Sequence, residues 1–219
     1  MNVIRRSLTL GLCLLSCACA VAADSPTTTV AVVDFVVPAN TSNSWAWARS
    51  GLADLLQIEL DQRGLVTLDR SFIQAVLSER RMAVGGLTSS DCKSIATLLG
   101  AKYLVTGQVT PMEGGKCRIE ASAFSVETIE TVATGVGEGT LPKQLPVLLQ
   151  KVADAVAGVL LKDHKTESIP RSAKGRRPDP EALIAYYKGL GAYSAGYPEI
   201  ASAWFLDAVG LLSNKLQES

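Results

Sequence analysis

Imidazole is the scarcest chemistry in this 219-residue chain, because His164 is its only histidine. A histidine-based triad or a zinc centre needs more than one such ring, so catalytic and metal-ligating residues are both read as none. Aromatic side chains make up 5% of the residues, and basic and acidic side chains balance at 21 each. With no excess of positive charge there is no electrostatic footprint for nucleic acid. Cysteine is sparse where it would count. Of the five present, Cys13, Cys17 and Cys19 crowd the N-terminus, and only Cys92 and Cys117 lie beyond it. Two thiols do not make a disulfide framework, and no CxxC spacing activates them. After residue 23 no run is long and apolar enough to span a bilayer.

The N-terminus supplies what the rest lacks. Met1-Asn-Val-Ile-Arg5-Arg6 is a short basic start, and Leu8 to Ala20 is apolar and uncharged. Ala20-Val21-Ala22, or the Ala22-Ala23 pair before Asp24, offers the small residues that a signal peptidase requires. Residues 1–23 therefore read as a secretory signal, too short for a membrane span. Export removes cytosolic cofactor chemistry, and no cofactor is expected. Leu15-Ser-Cys17-Ala-Cys19 also resembles a bacterial lipobox, which makes Cys19 the lipidation candidate and Cys17 a weaker one. Simple cleavage after Ala22 or Ala23 is the alternative. A lipid would anchor the protein without a transmembrane helix. Loss of Arg5 and Arg6 leaves a net charge of about −2.

Thr29 to Val37 is a β-branched run of the kind found in strands covered on both faces. The spacing of Trp45, Ala48, Leu52, Leu55, Leu56 and Leu60 predicts a helix from about Ser44 to Arg63, ended by Gly64. Leu65 to Leu68 is a short strand. Ser71 with Gln74, and Thr88 with Asp91, read as capping boxes opening two helices, the second ended by Gly100. Three strands follow, at 102–109, 117–126 and 130–137, the first two joined by a hairpin containing Gly114-Gly115. In the middle strand Cys117, Ile119, Ala121 and Ala123 alternate with polar residues, so one face is core. A last helix carries Pro146 in its first turn and turns Leu145, Leu148, Leu149, Val152, Val156, Val159 and Leu160 inward. The order is βαβααβββα, an α/β sandwich with a mixed sheet over residues 28–161. Residues 162–180, basic and rich in Ser, Pro and Gly, read as a linker. Residues 181–213 form an α-helical hairpin, with helices at 181–194 and 199–212.

Five segments in order resemble the CsgG-like family of bacterial envelope proteins, related in fold to the N-terminal domain of TolB. They are Val30-Ala-Val-Val-Asp-Phe35, Gly51-Leu-Ala-Asp-Leu-Leu56, Asp69-Arg70, Ile73-Gln-Ala-Val-Leu77 and Leu99-Gly-Ala-Lys-Tyr-Leu-Val-Thr-Gly107. The resemblance implies a TolB N-terminal-domain-like fold. The hairpin resembles one tetratricopeptide (TPR) repeat through Gly189, Gly196, Ala201, Phe205 and Ala208, without the usual first-helix tryptophan and with Ser213 at the closing proline position. One such repeat cannot bury its own apolar face. The curli-type secretion channel of this family spans the outer membrane with long amphipathic hairpins, and the turns at 111–116 and 127–130 leave no room for them.

Candidate chemistry is thin. Asp34 and Asp69 stand near strand ends, where α/β proteins place ligand groups, but carboxylates there also cap helices. Gly135-Val-Gly-Glu-Gly139 lacks the Lys-Ser/Thr of a phosphate loop and reads as a strand edge giving way to a turn. Cys92 and Cys117 read as buried thiols, with a mutual disulfide as the alternative. Trp45 and Trp47 cannot both face inward from neighbouring helix positions. Trp47 is taken as the exposed partner-binding candidate, with Tyr193, Tyr197 and Trp204. The expectation is a non-enzymatic envelope protein that binds other envelope proteins, with a possible homo-oligomer and contact with the membrane only through a lipid. A periplasmic ligand-binding or enzymatic domain using Asp34 and Asp69, and a curli-type channel subunit, are the alternatives.

The intact mass of the exported chain checks the N-terminus. Cleavage gives a mass beginning at Ala23 or Asp24, and lipidation gives one beginning at Cys19 with acyl chains added.

Overall fold

The computed structural model describes residues 29–79, 87–162, 179–194 and 196–217. The signal region with Cys19, most of the linker with His164, and the Gly85-Gly86 break lie outside the described residues. The element order begins with β1 (Thr29–Val36), α1 (Ala48–Asp61), β2 (Val66–Thr67), α2 (Arg70–Glu79) and α3 (Ser89–Leu99). It continues with β3 (Tyr103–Pro111), β4 (Lys116–Ser125), β5 (Glu130–Thr140) and α4 (Leu145–Leu160). The helices α5 (Pro180–Ser194) and α6 (Pro198–Gln217) close the chain. The βαβααβββα order holds, with an α-helical hairpin appended.

One five-stranded sheet runs in the order β2-β1-β3-β4-β5. The pairs β1·β2 and β1·β3 are parallel, and β3·β4 and β4·β5 are antiparallel. Apart from Thr29 and Asp34, β1 is apolar, as a strand covered on both faces must be. Val30, Val32 and Phe35 point into the larger core beneath α1 and α4, whereas Ala31 and Val33 point into the smaller core beneath α2 and α3. Val32 pairs with Val105 but Phe35 with Gly107, so β1 carries one extra residue between them. Such a bulge re-aims the side chains around it. Here it returns Phe35 to the face of Val30 and Val32 and leaves Asp34 at the irregularity. Gly107 gives Phe35 its space, since a Cβ there would lie 2.3 Å from the ring.

β4 alternates as its sequence implies. Cys117, Ile119, Ala121 and Ala123 are buried, and Arg118 and Glu138 pair across the open face at 3.0 Å. β5 runs through Thr140, so the 135–139 glycines belong to a strand that ends later than expected. They seat α4 against the sheet. A Cβ on Gly135 would lie 2.4 Å from the Val152 carbonyl oxygen, and one on Gly137 3.2 Å from that of Leu148. α4 buries the expected residues except Val159, which is exposed at its outer edge. Arg63, just past α1, bonds Glu59 and Asp154 at 2.7 Å each and so ties α1 to α4.

Local capping accounts for the helix starts. Thr88 and Asp91 form the expected reciprocal box, and Gly100 ends α3 in the left-handed conformation at φ 66°. Ser71 is not the cap of α2. That role belongs to Asp69, whose Oδ1 accepts from the amides of Ser71 at 2.8 Å and Phe72 at 3.1 Å. The helix starts two residues earlier than expected because the carboxylate reaches two orphan donors at once. Hydrogen bonds from Ser71 and Phe72 hold Asp69 below the usual aspartate range, and those from Thr88 do the same for Asp91.

The mutual disulfide does not form. Cys117 lies in the larger core and Cys92 in the smaller, with the sheet between them, and both are free. Burial pushes both thiols up, Cys117 to about 11. The charge of Asp91 adds to the rise at Cys92.

Gly135→Ala should destabilise the fold by about 2–3 kcal/mol in urea titration, because α4 must retreat from a backbone clash. Gly158→Ala, within α4 itself and with nothing within 4 Å of the added Cβ, should instead stabilise by about 0.5–1 kcal/mol.

Candidate functional site

All three tryptophans of the chain line one groove, at the seam between the α/β unit and the helical hairpin. Its volume is about 450 Å³. Ser44 to Trp47 and the Leu141-Pro142 turn form one wall, and α5 and α6 form the other.

The first wall follows from how the chain leaves β1. The Thr41 amide donates to Pro38 at 3.0 Å, and Ser42 Oγ accepts from the Ser44 amide at 3.3 Å. A single 3-10 turn, Asn43–Trp45, then precedes α1. The expected helix from Ser44 is therefore broken at its start, which changes the phase of the two tryptophans. Trp47 is 5% exposed, and Trp45 is the half-buried one. The assignment of Trp47 as an exposed anchor is corrected: it forms the floor of the groove.

α5 forms the second wall and docks onto α1. Asp179 Oδ1 caps it, accepting from Glu181 at 2.8 Å and Ala182 at 3.3 Å. Gly51 admits the buried Tyr187 ring, since a Cβ there would lie 2.9 Å from Tyr187 Cγ and 3.1 Å from Trp47 Cε3. Within the hairpin, a Cβ on Gly189 would lie 2.5 Å from the Phe205 ring, and Ala201 and Ala208 are buried. The small and aromatic positions thus meet as in a helical repeat. Lys188 Nζ lies 4.3 Å from the centre of the Trp204 ring, a cation–π contact. Glu181 and Asp207 complete the polar rim.

Behind the groove an ionic latch joins four elements. Arg70, at the start of α2, bonds Asp54 of α1 at 2.6 Å and the Val32 carbonyl of β1 at 2.8 Å. Its other terminal nitrogen pairs with Asp34 at the bulge. The Tyr187 hydroxyl of α5 also stands beside Asp54. Burial raises the Asp54 carboxyl above the usual range despite Arg70 and Tyr187, which both oppose the rise. Burial, then the Asp54 charge, pushes the Tyr187 phenol up. Asp34 and Asp69 are therefore engaged by Arg70 and by the amides of α2.

Of the named candidates, the structure brings Trp47 and Trp204 together in the groove. Tyr193 and Tyr197, 66% and 59% exposed, stand apart near the α5–α6 turn. Leu206 and Val209 expose a further apolar strip on α6. Among the described residues no three of His, Cys, Asp and Glu converge on a metal-sized site, and no helix is long and apolar enough to cross a membrane. Sequence reasoning missed the latch. Its only signal was Arg70, a cation three residues beyond β2.

The family described as curli production assembly/transport component CsgG matches residues 19–128, half of the chain. No curated protein sequence matches. Three solved structures are similar at low identity. A Neisseria meningitidis lipoprotein shares 10% identity over 52% of this chain and 80% of that one, with a TM-score of 0.44. The LpoB C-terminal domain of Escherichia coli shares 19% over 55% and 89%, with a TM-score of 0.41. The PelC dodecamer of Paraburkholderia phytofirmans shares 17% over 61% and 86%, with a TM-score of 0.35.

The latch gives Asp54 a pH signature with a definite sign. A carboxyl raised on folding contributes stability that is full below its ordinary value of 3.8 and is lost as pH rises through the raised value. Asp54→Asn should remove that loss. Its stability relative to the parent chain should improve as pH rises above 3.8 in urea titrations. A pH-independent difference would mean that the two states hold Asp54 with equal affinity for its proton.

Proposed function

The chain belongs to the CsgG family, and on that premise we propose that it is a non-catalytic, exported envelope protein. It acts as an accessory or assembly module that binds other envelope proteins and does not itself form a pore. The observation that carries this reading is the convergence of all three tryptophans on the groove between the two units. Tryptophan dominates protein-interface hot spots, because one rigid ring buries much apolar area and keeps a donor. Trp45 and Trp204, half-buried on opposite walls, would grip an apolar side chain of the partner over the Trp47 floor. Glu181 and Asp207 against Lys188 leave the rim acidic by one charge, which favours a basic neighbour on that partner.

Two further features support an accessory role. The β3–β4 and β4–β5 connections are tight, and all three strands are committed to the sheet. The strand-end carboxylates, which an enzymatic reading would use, are held by Arg70 and by the α2 amides. The lipid candidate Cys19 would place the groove at the membrane, and plain cleavage would leave it free in the periplasm.

Trp45→Ala with Trp204→Ala should reduce the native complexes crosslinked in envelope extracts by about tenfold. The thermal midpoint should barely move, because both rings are partly exposed. Tyr193→Ala should leave the same complexes unchanged. Complexes that survive the double substitution at parental yield would move the contact off the groove.

A further inference from the structure

The two edges of the sheet differ. β2 is two residues long, too short to pair with another chain. β5 is an eleven-residue strand at the opposite end of the order, and among the described residues no strand pairs with its outer side. Exposed edges of this length are usually blunted by proline, lysine or a mid-strand bulge. β5 has neither proline nor lysine, and its irregularity falls near its start, where Ala123 faces Ala133 and Phe124 faces Thr131. The clamping of α4 onto Gly135 and Gly137 holds the rest of the strand flat against its helix.

The hydrogen bonds at its end fix which backbone groups face out. The Leu141 amide donates inward, to Gly115 at 3.2 Å, whereas the Thr140 amide donates to Gln144 Oε1 at 2.6 Å. Backbone direction alternates along a strand. From Ala133 onward the odd residues therefore serve β4, and Thr134, Val136 and Glu138 present their N–H and C=O outward. Thr140, next in that row, is already capped. The side chains agree: Ser122 and Thr134 touch at 3.1 Å, as the closer, non-bonded pairs of an antiparallel ladder do.

This outward row is its own complement. Turned by a twofold axis through Val136, it places Thr134 opposite Glu138 and Val136 opposite itself, and every exposed donor meets an acceptor. The Glu138 carboxylates lie away from the axis, and each is paired with Arg118 at 3.0 Å. Arg118 also reaches Glu120 at 3.4 Å, so each copy keeps one net negative charge there. Solvent exposure and distance from the axis keep the like-charge cost of self-pairing small, and no basic partner strand is required. We propose that β5 pairs antiparallel with the β5 of a second copy of this chain, making one continuous sheet across a symmetric dimer. This inference does not depend on the tryptophan groove.

The test uses the exported chain purified from the envelope in mild detergent. Sedimentation should give the mass of two chains, falling to one on dilution. Val136→Pro removes the outward N–H at the axis and leaves the β4 ladder intact. Val136→Lys puts two ammonium groups opposite each other there, beside Glu120, its own cross-strand neighbour. Both variants should be monomeric with unchanged circular dichroism. Hydrogen exchange at Thr134, Val136 and Glu138 should be slower in the parent than in Val136→Lys by on the order of 10–100-fold. A monomeric parent chain, or a dimer that persists in Val136→Lys with those three amides unprotected, overturns the proposal.

Discussion

Arg70 is the residue on which the rest of the arrangement depends. Its guanidinium meets two carboxylates and a backbone carbonyl, supplied by two elements, α1 and β1. Five donors in a rigid fork make such a junction possible, which a lysine ammonium could not reproduce. The side chain is only 13% exposed, so an unmatched charge there would be costly. Matched, it fixes the position of α2 against β1 and α1. It also keeps Asp54 beside the Tyr187 hydroxyl of the hairpin. The location of the helical hairpin is thus set in part by an arginine more than a hundred residues earlier in the chain.

Much of the α/β unit was legible in the sequence, because periodicity reports burial directly. β1 is apolar without alternation and is covered on both faces, and β4 alternates and is half wet. The capping box at Thr88, the left-handed Gly100 and the Gly114-Gly115 hairpin are local signals, and each produced its element. What periodicity could not report was phase. The bulge in β1 and the 3-10 turn before α1 each shift the pattern by a residue or so. Those shifts decide where Asp34 points and which tryptophan is buried. Glycine was the other silent signal. At Gly51, Gly107 and Gly135 the information lies in the neighbour that fills the missing side chain, and that neighbour is distant in sequence.

The candidate site was less legible than the fold for the same reason. Trp47 and Trp204 could be selected by type, yet nothing local says that they share a groove. Its second wall comes from α5 and α6, which lie beyond residues 19–128, the part matched by the family. The groove therefore combines a family scaffold with a separate helical addition. Its charged rim, including Lys188 over Trp204, belongs to the addition.

Gly51 gives this arrangement an evolutionary hinge. The hairpin seats on α1 only because one methyl group is missing beneath the Tyr187 ring. Acquisition of that methyl would press on Trp47 and deny the hairpin its seat. A lineage could in this way trade a fixed, two-walled cleft for two undocked units tethered on one polypeptide. Retention of glycine at that single codon across a lineage would record selection for the assembled cleft.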